Sequence, residues 1–254
     1  MEELYTTWKA IGVAGGDLSF FQDFFVKFYQ AFIEGDRWLQ YLNGVKTTLL
    51  VTALALILGI VLGVLVAMLR TAHDQQRPGH RNPILAVLNL ICKVYVTVIR
   101  GTPMMVQLLI MGFVIFASSR NFTMIGTLTL GINSGAYVSE IVRGGLMSVD
   151  KGQMEAGRSL GLNYMTTMRF IVIPQAVKAI LPALGNEFII LLKDTSLITV
   201  IGGKELLYAA QGIYNRTYEQ MFPLIGTAAL YLVLVIILSF LGKLERRLRQ
   251  SDRR

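Results

Sequence analysis

The chain has 254 residues, 54% of them hydrophobic and only 16% charged, with a formal net charge of +8 and a single cysteine. Soluble domains carry roughly 45–50% apolar and about 25% charged residues. The apolar excess here is gathered in blocks, which excludes an ordinary soluble domain and points to transmembrane helices of about 20 residues. The positive charge does not point to nucleic acid, because no basic stripe interleaves with aromatics; Lys and Arg fall instead in segments expected on the cytosolic side of a membrane.

Residues 1–42 are acidic on balance, with Glu2, Glu3, Asp17, Asp23, Glu34 and Asp36 against Lys9, Lys27 and Arg37. The opening MEELYTTWKA lacks a basic region followed by an apolar one, so no cleavable signal peptide is expected. Phe20, Phe21, Phe24, Phe25, Phe28, Tyr29 and Phe32 recur mostly at helical spacing, with Asp23 and Lys27 on another side. This predicts an external amphipathic helix lying in the membrane interface against lipid. Trp38 and Tyr41 suit an aromatic belt at the entrance to a span.

The first span is expected from about Gly44 to Leu69. Within it Gly59 and Gly63 form a small-xxx-small pair that permits close helix approach, although glycine is also simply common in membrane helices. The loop 70–82 carries Arg70, Arg77, Arg81 and Pro78-Gly79; short and basic, it is expected in the cytosol. The two histidines, His73 and His80, lie there without further ligand residues, so no metal site is expected. Cys92, in an apolar run, reads as a small buried hydrophobe.

Residues 83–118 would extend about 54 Å as one helix, against a bilayer core of about 30 Å. Arg100-Gly101-Thr102-Pro103 interrupts them, and proline both removes a backbone donor and disfavours helix just before it. The expectation is a helix from the cytosolic surface that breaks at 100–103 and continues outward as MMVQLLIMGFVIFA. Arg100 at such a break should face protein or a water-filled cavity. The third span, about Met124 to Gly145, is unusually polar. Asn133, Tyr137, Glu140 and Gly144 are spaced at four, three and four and so share one face. Ionisable residues there mark a candidate pathway, while Glu140 and Arg143, three apart, are alternatively a structural ion pair.

The stretch Gly144 to Pro174 is a polar interruption, cytosolic by position, with a short helix expected over 152–160. Glu155 sits early, where a carboxylate suits the positive end of the helix dipole, and Gly161 sits where a helix would end. A fourth span is expected over about Ala176–Leu192, kinked at Pro182 with Asn186 and Glu187 embedded, and ends at Lys193-Asp194-Thr195-Ser196. Residues 201–221 are nearly balanced in charge and expected outside; a last span, about Phe222–Leu241, leads to a basic cytosolic tail. The chain therefore reads as an all-α integral membrane protein with five transmembrane helices, N-terminus outside and C-terminus in the cytosol. Its parts are an interfacial segment 1–42, a transmembrane domain 43–245 and a basic tail 246–254. An odd number of spans cannot divide into two equal inverted repeats, and no long internal repeat is present. A symmetric pathway then needs a second subunit.

Glu155-Ala156-Gly157, three residues, Gly161, nine residues and Ile171-x-Ile173-Pro174 resemble the EAA loop of ABC importer permeases, here 150–174, with Gly157 in place of the second alanine and Ile173 in place of leucine. A glycine inside a helix costs about 1 kcal/mol relative to alanine, so this helix is expected to lean on its partner for order and to couple more loosely. Arg100-Gly101-Thr102-Pro103 with Gln107, then Tyr137, Glu140, Arg143-Gly144-Gly145, Gly152-Gln153, Pro174-Gln175-Ala176 and Leu192 to Leu197 look like the polar amino acid subfamily, over residues 40–245. The resemblance implies a type I ABC importer permease in the bacterial plasma membrane. It implies a dimer, with an identical or paralogous copy, seated on two cytosolic ATPase subunits and served by an external amino-acid-binding protein. Gly152, Glu155, Ala156, Gly157, Ser159, Leu160 and Gly161 would dock into the ATPase as a coupling helix. Arg100, Asn133, Tyr137, Glu140, Asn186 and Asp194 are the candidates for a pathway that takes an amino acid zwitterion.

No G-x-x-x-x-G-K-[ST] phosphate loop occurs, so ATP and magnesium are expected on the partner ATPase, with no cofactor and no catalysis in this chain. The alternatives are an ion-coupled secondary transporter, which usually shows inverted repeats and needs a coupling-ion site; a channel component, which needs a filter sequence or charge ring; and a membrane-embedded enzyme, which needs a catalytic constellation. The sequence displays none of these.

Overall fold

The computed structural model describes residues 1–76 and 82–251, the side chains of 241 and 243–251 excepted. Arg77, Pro78, Gly79, His80 and Arg81 of the expected basic loop, and the side chains of the basic tail, lie outside the described residues. Every regular element among the described residues is helical.

Two helices precede the first span. α1 (Glu2–Val13) was not expected; α2 (Phe20–Phe32) is the amphipathic helix that was. Ser19 and Gln22 close a capping box at the start of α2. The Tyr5 ring stacks on Tyr29 at 4.3 Å, and Lys9 Nζ reaches Glu34 at 2.6 Å. The hydrogen bond to Glu34 raises the Lys9 ammonium above its usual range. Phe20 and Phe21 stay exposed on the other side, at 77% and 79%. A turn at Glu34–Asp36, with Gly35 at φ +60°, delivers the chain into α3 (Arg37–Asp74). This helix has 38 residues and reaches past the expected span at both ends. Trp38 is exposed, as a belt residue should be, but Tyr41 is buried beneath Phe32 and the helix α10 (Leu206–Thr217).

α4 (Pro83–Gly101) is started by Asn82, whose side chain accepts from the Ile84 and Leu85 amides, and by proline at its first turn. It stops at Thr102-Pro103, as expected; α5 (Met104–Ile110) follows and widens into a π-helical turn at Met111–Ile115. α6 (Phe122–Met147) leads to α7 (Lys151–Ser159). The next helix begins well before Pro174: α8 (Tyr164–Thr167) passes through a π-helical turn, Met168–Val172, into α9 (Ile173–Asp194). Proline lacks the donor that a regular α-turn would use, and the wide turn just before it absorbs the mismatch. A 3-10 turn (Thr195–Ile201), α10 and α11 (Met221–Ser251) complete the chain. α10 occupies the stretch expected as an external connection.

Among the described residues, four helical segments are long and apolar enough to cross a membrane: Glu34–Asp74, Pro83–Gly101, Tyr164–Ile201 and Met221–Phe240. α6, with 26 residues and about 39 Å of length, is long enough but too polar to count with them. Its position explains its composition. α3 lies along it, and a Cβ added at Gly59 would stand 2.7 Å from Ser134 Oγ, one at Gly63 2.6 Å from Val138. Reciprocally, a Cβ at Gly131 would meet Leu58 at 2.6 Å and one at Gly135 would meet Leu62 at 2.9 Å. The close-approach reading of Gly59 and Gly63 therefore holds. A helix whose small residues are covered by neighbours has no need of an apolar surface of its own.

Candidate functional site

α7 is defined at both ends. Asp150 caps it, its Oδ1 accepting the Gly152 amide at 2.6 Å, and it is this carboxylate, not Glu155, that meets the positive end of the dipole. Glu155 lies in the second turn, in a helix spanning 151–159 rather than 152–160. At the other end the Leu162 amide bonds the Gly157 carbonyl at 3.2 Å and the Gly161 amide bonds that of Arg158 at 3.0 Å, with Gly161 at φ +85°. That is a Schellman closure, and it needs a residue without a Cβ penalty at Gly161.

Of the seven expected coupling residues, Gly152, Glu155, Ala156, Ser159, Leu160 and Gly161 are exposed, Leu160 at 81%. Gly157 is the exception and is buried. A Cβ there would stand 2.5 Å from Thr167 Cγ2 and 3.1 Å from Ile171 Cδ1. The missing methyl at Gly157 lets α7 sit directly on α8 and the π-turn, a packing role that helix propensity alone did not suggest. Gln175 Nε2 donates to Gln153 Oε1 at 3.0 Å and ties α7 to α9 as well.

The C-terminal end of α3 is bound to the same region. Arg70 pairs with Glu140, Arg143 Nη1 reaches Asp74 Oδ2 at 2.8 Å, and the Tyr164 hydroxyl donates to Gln75. Glu140 and Arg143 thus do not pair with each other; each takes its partner from α3. Asn89 Nδ2 lies 3.1 Å from His73 Nδ1, joining α4 to α3, so His73, expected in the loop 70–82, is a half-buried helix contact. Asp74, Gln75, Arg143, Asp150, Glu155 and Tyr164 border a cleft of about 770 Å³ between α7 and the ends of α3 and α6.

The pathway candidates divide. Asn133 Nδ2 donates to Gln107 Oε1 at 2.9 Å, and Gln107 Nε2 donates to the Ile99 carbonyl at 2.7 Å and to Thr102 Oγ1 at 2.8 Å. Gln107 thereby satisfies backbone freed by the Pro103 break and joins it to α6. The Arg100 guanidinium stands 5.2 Å over the Tyr137 ring. Arg100, Gln107, Asn133 and Tyr137 therefore form one polar cluster, with Glu140 a turn further on. Asn186 is exposed and Asp194 half-buried; neither bonds this cluster among the described residues. No group of three or more His, Cys, Asp or Glu that would hold a metal lies among the described residues.

A profile of the family "Binding-protein-dependent transport system inner membrane component" matches residues 84–250. The chain belongs to this family of inner-membrane permeases. Among its relatives is the putative glutamine transport system permease protein GlnP of Rickettsia typhi, 35% identical over 224 residues, which covers 87% of this chain and 95% of the relative. The glutamine transport system permease protein GlnP of Escherichia coli is 40% identical over 171 residues, 64% of this chain and 77% of the relative. A crystal structure of an amino acid ABC transporter with histidines superposes with a TM-score of 0.73 at 40% identity, covering 82% of this chain and 93% of that one. An inward-facing MetNI methionine ABC transporter shares the fold, with a TM-score of 0.68 at 21% identity over 85% of this chain and 98% of that one. The resemblance to ABC importer permeases read from the sequence is borne out.

The permease also holds a centre the sequence reading missed. Glu205 is 1% exposed and accepts from the hydroxyls of Thr48, Thr199 and Tyr231 and from the Tyr208 amide. It joins α3, the 3-10 turn, α10 and α11. The sequence reading gave residues 201–221 only as nearly balanced in charge and external, and assigned Glu205 no role. Glu187, at 6% exposure, accepts from Ser134 Oγ at 2.8 Å and links α9 to α6. It was read only as embedded, without this partner.

Proposed function

We propose that this permease is the membrane subunit of an ATP-driven importer of a polar amino acid, glutamine being the first candidate. It works as a dimer with an identical or paralogous copy, two cytosolic ATPase subunits and an external binding protein. α6 is the fifth span, beside the four apolar ones, with the N-terminus outside and the C-terminus in the cytosol. The observation that carries the reading is α7: a capped helix, exposed on its Glu155 face and packed through Gly157 onto a segment continuous with α9. Such a body transmits a push from a partner to the spans on either side, as rigid-body switching requires. ATP and magnesium belong to the partner.

The test is co-purification of the permease with its ATPase and amino-acid-stimulated hydrolysis in the complex. Glu155→Lys should abolish stimulation and transport while membrane insertion is unchanged. Stimulated hydrolysis retained in that variant sinks the docking role.

The cluster of Arg100, Gln107, Asn133 and Tyr137, with Glu140 beyond it, is proposed to line the pathway. It offers a cation, an amide pair and a ring face to a zwitterion. Asn186 and Asp194 complete the candidate set from α9. Asn133→Ala should change the rate or the amino-acid preference of uptake in reconstituted vesicles, and identical uptake removes Asn133 from the pathway.

A further inference from the structure

Covalently, the α7–α8 unit is attached only to α6 before it and α9 after it. α3 lies far from it in sequence, yet its cytosolic end is bonded into the unit. Gln75, the residue that caps α3 with its amide on the Thr71 carbonyl, accepts from the Tyr164 hydroxyl in the first turn of α8. Asn163 fixes that turn by accepting the Thr166 amide at 2.9 Å. One residue back, Asp74 holds Arg143 at 2.8 Å, and one helical turn further back Arg70 holds Glu140. These rungs stand where α3 leaves the glycine seam with α6.

We propose that Gln75 and Tyr164, backed by the Asp74–Arg143 pair, are positioning residues that lock α3 to the coupling unit. A displacement of α7 then carries α3, α6 and the start of α9 as one body. This rests on the coupling reading above. Neither Gln75 nor Tyr164 is needed for ATPase docking, which Glu155 and the open face of α7 provide. Without the lock, the unit moves but α3 lags, and ATP is hydrolysed with less transport.

The test uses the complete complex in proteoliposomes, with L-glutamine as the probe, and reads amino acid moved per ATP hydrolysed. Tyr164→Phe and Gln75→Ala should each lower that ratio about two- to tenfold, the range one lost hydrogen bond spans. Complex assembly and stimulated hydrolysis should persist. Combining the two should cost no more than either alone, since they share one bond. For the ionic rung, Asp74→Arg with Arg143→Asp should recover what each single change loses. An unchanged ratio in Tyr164→Phe overturns the lock, and so does loss of the ATPase from that variant, which would place Tyr164 in the docking contact instead. Failure of the coupling reading is separate: there Glu155→Lys would still show stimulated hydrolysis.

Discussion

Gly157 shows how one atom fixes the meaning of a motif. By helix propensity alone, alanine in its place gains about 1 kcal/mol. In the packed structure the added methyl falls 2.5 Å from Thr167 Cγ2, and overpacking typically costs about 1–3 kcal/mol. Gly157→Ala should therefore lower the thermal midpoint of the purified complex and weaken stimulated hydrolysis. Gly157→Ala with Thr167→Ser, which removes the obstructing methyl, should restore both. If the single variant is as stable as the parent, the close contact is not constraining α7. Glu205 carries a different kind of energy. Removing an acceptor strands its donors, at about 1–3 kcal/mol for each one buried and unmet. Glu205→Ala should lower the detergent thermal midpoint markedly, and Glu205→Gln, which keeps the shape and one acceptor, should fall between it and the parent. The sequence could not reveal either role. Thr48, Thr199 and Tyr231 are hydroxyl residues of ordinary kind, and only the fold brings them to one carboxylate.

Among the elements, what was legible depended on how local the cause was. Proline chemistry acts on its own neighbourhood, so the break after Gly101 was readable from Arg100-Gly101-Thr102-Pro103. The stop at Gly161 was readable for the same reason, and so was the amphipathic α2. The start of the helix at Tyr164 was not, because a π-turn upstream of Pro174 depends on tertiary support. Nor was the pairing of Glu140 and Arg143: spacing of three on one helix suggests a mutual pair, but α3 brings Arg70 and Asp74 to the same surface. The glycines of α3 were ambiguous alone and became decisive once Gly131 and Gly135 lay opposite. This seam makes a prediction of its own. Gly63→Leu pushes side-chain bulk into Val138, from 2.6 Å already at the Cβ, and should destabilise the bundle by the overpacking range of about 1–3 kcal/mol or more. Leucine at the lipid-exposed Val61, on the same helix, should be neutral. Thermal unfolding of both variants in detergent distinguishes a packing seam from a merely glycine-tolerant helix.

At the scale of the molecule, polarity is sorted by cover. α6 falls short of the apolar requirement that the other long helices meet, yet many of its residues are buried, whereas Leu50, Ile57, Val61, Leu65, Leu232 and Ile236 on α3 and α11 are exposed. That inversion is what a bilayer produces, since lipid takes apolar surface as readily as a protein core does. Among the described residues four helices meet the apolar requirement; on the topology proposed above α6 is a fifth span, the count is odd and the two termini lie on opposite sides. The rungs at Arg70, Asp74 and Gln75 and the coupling helix then share one side, while α1, α2 and α10 share the other. Cysteine labelling tests this directly, because the native Cys92 is 7% exposed and gives little background. Thr6→Cys and Asn215→Cys should react with a membrane-impermeant maleimide in intact cells, and Ser148→Cys only after the membrane is opened. Labelling of Ser148→Cys in intact cells would reverse the topology and leave α7 unable to meet a cytosolic ATPase. Protection of Thr6→Cys with labelling at Asn215→Cys would instead remove one crossing from the N-terminal half, making the span count even.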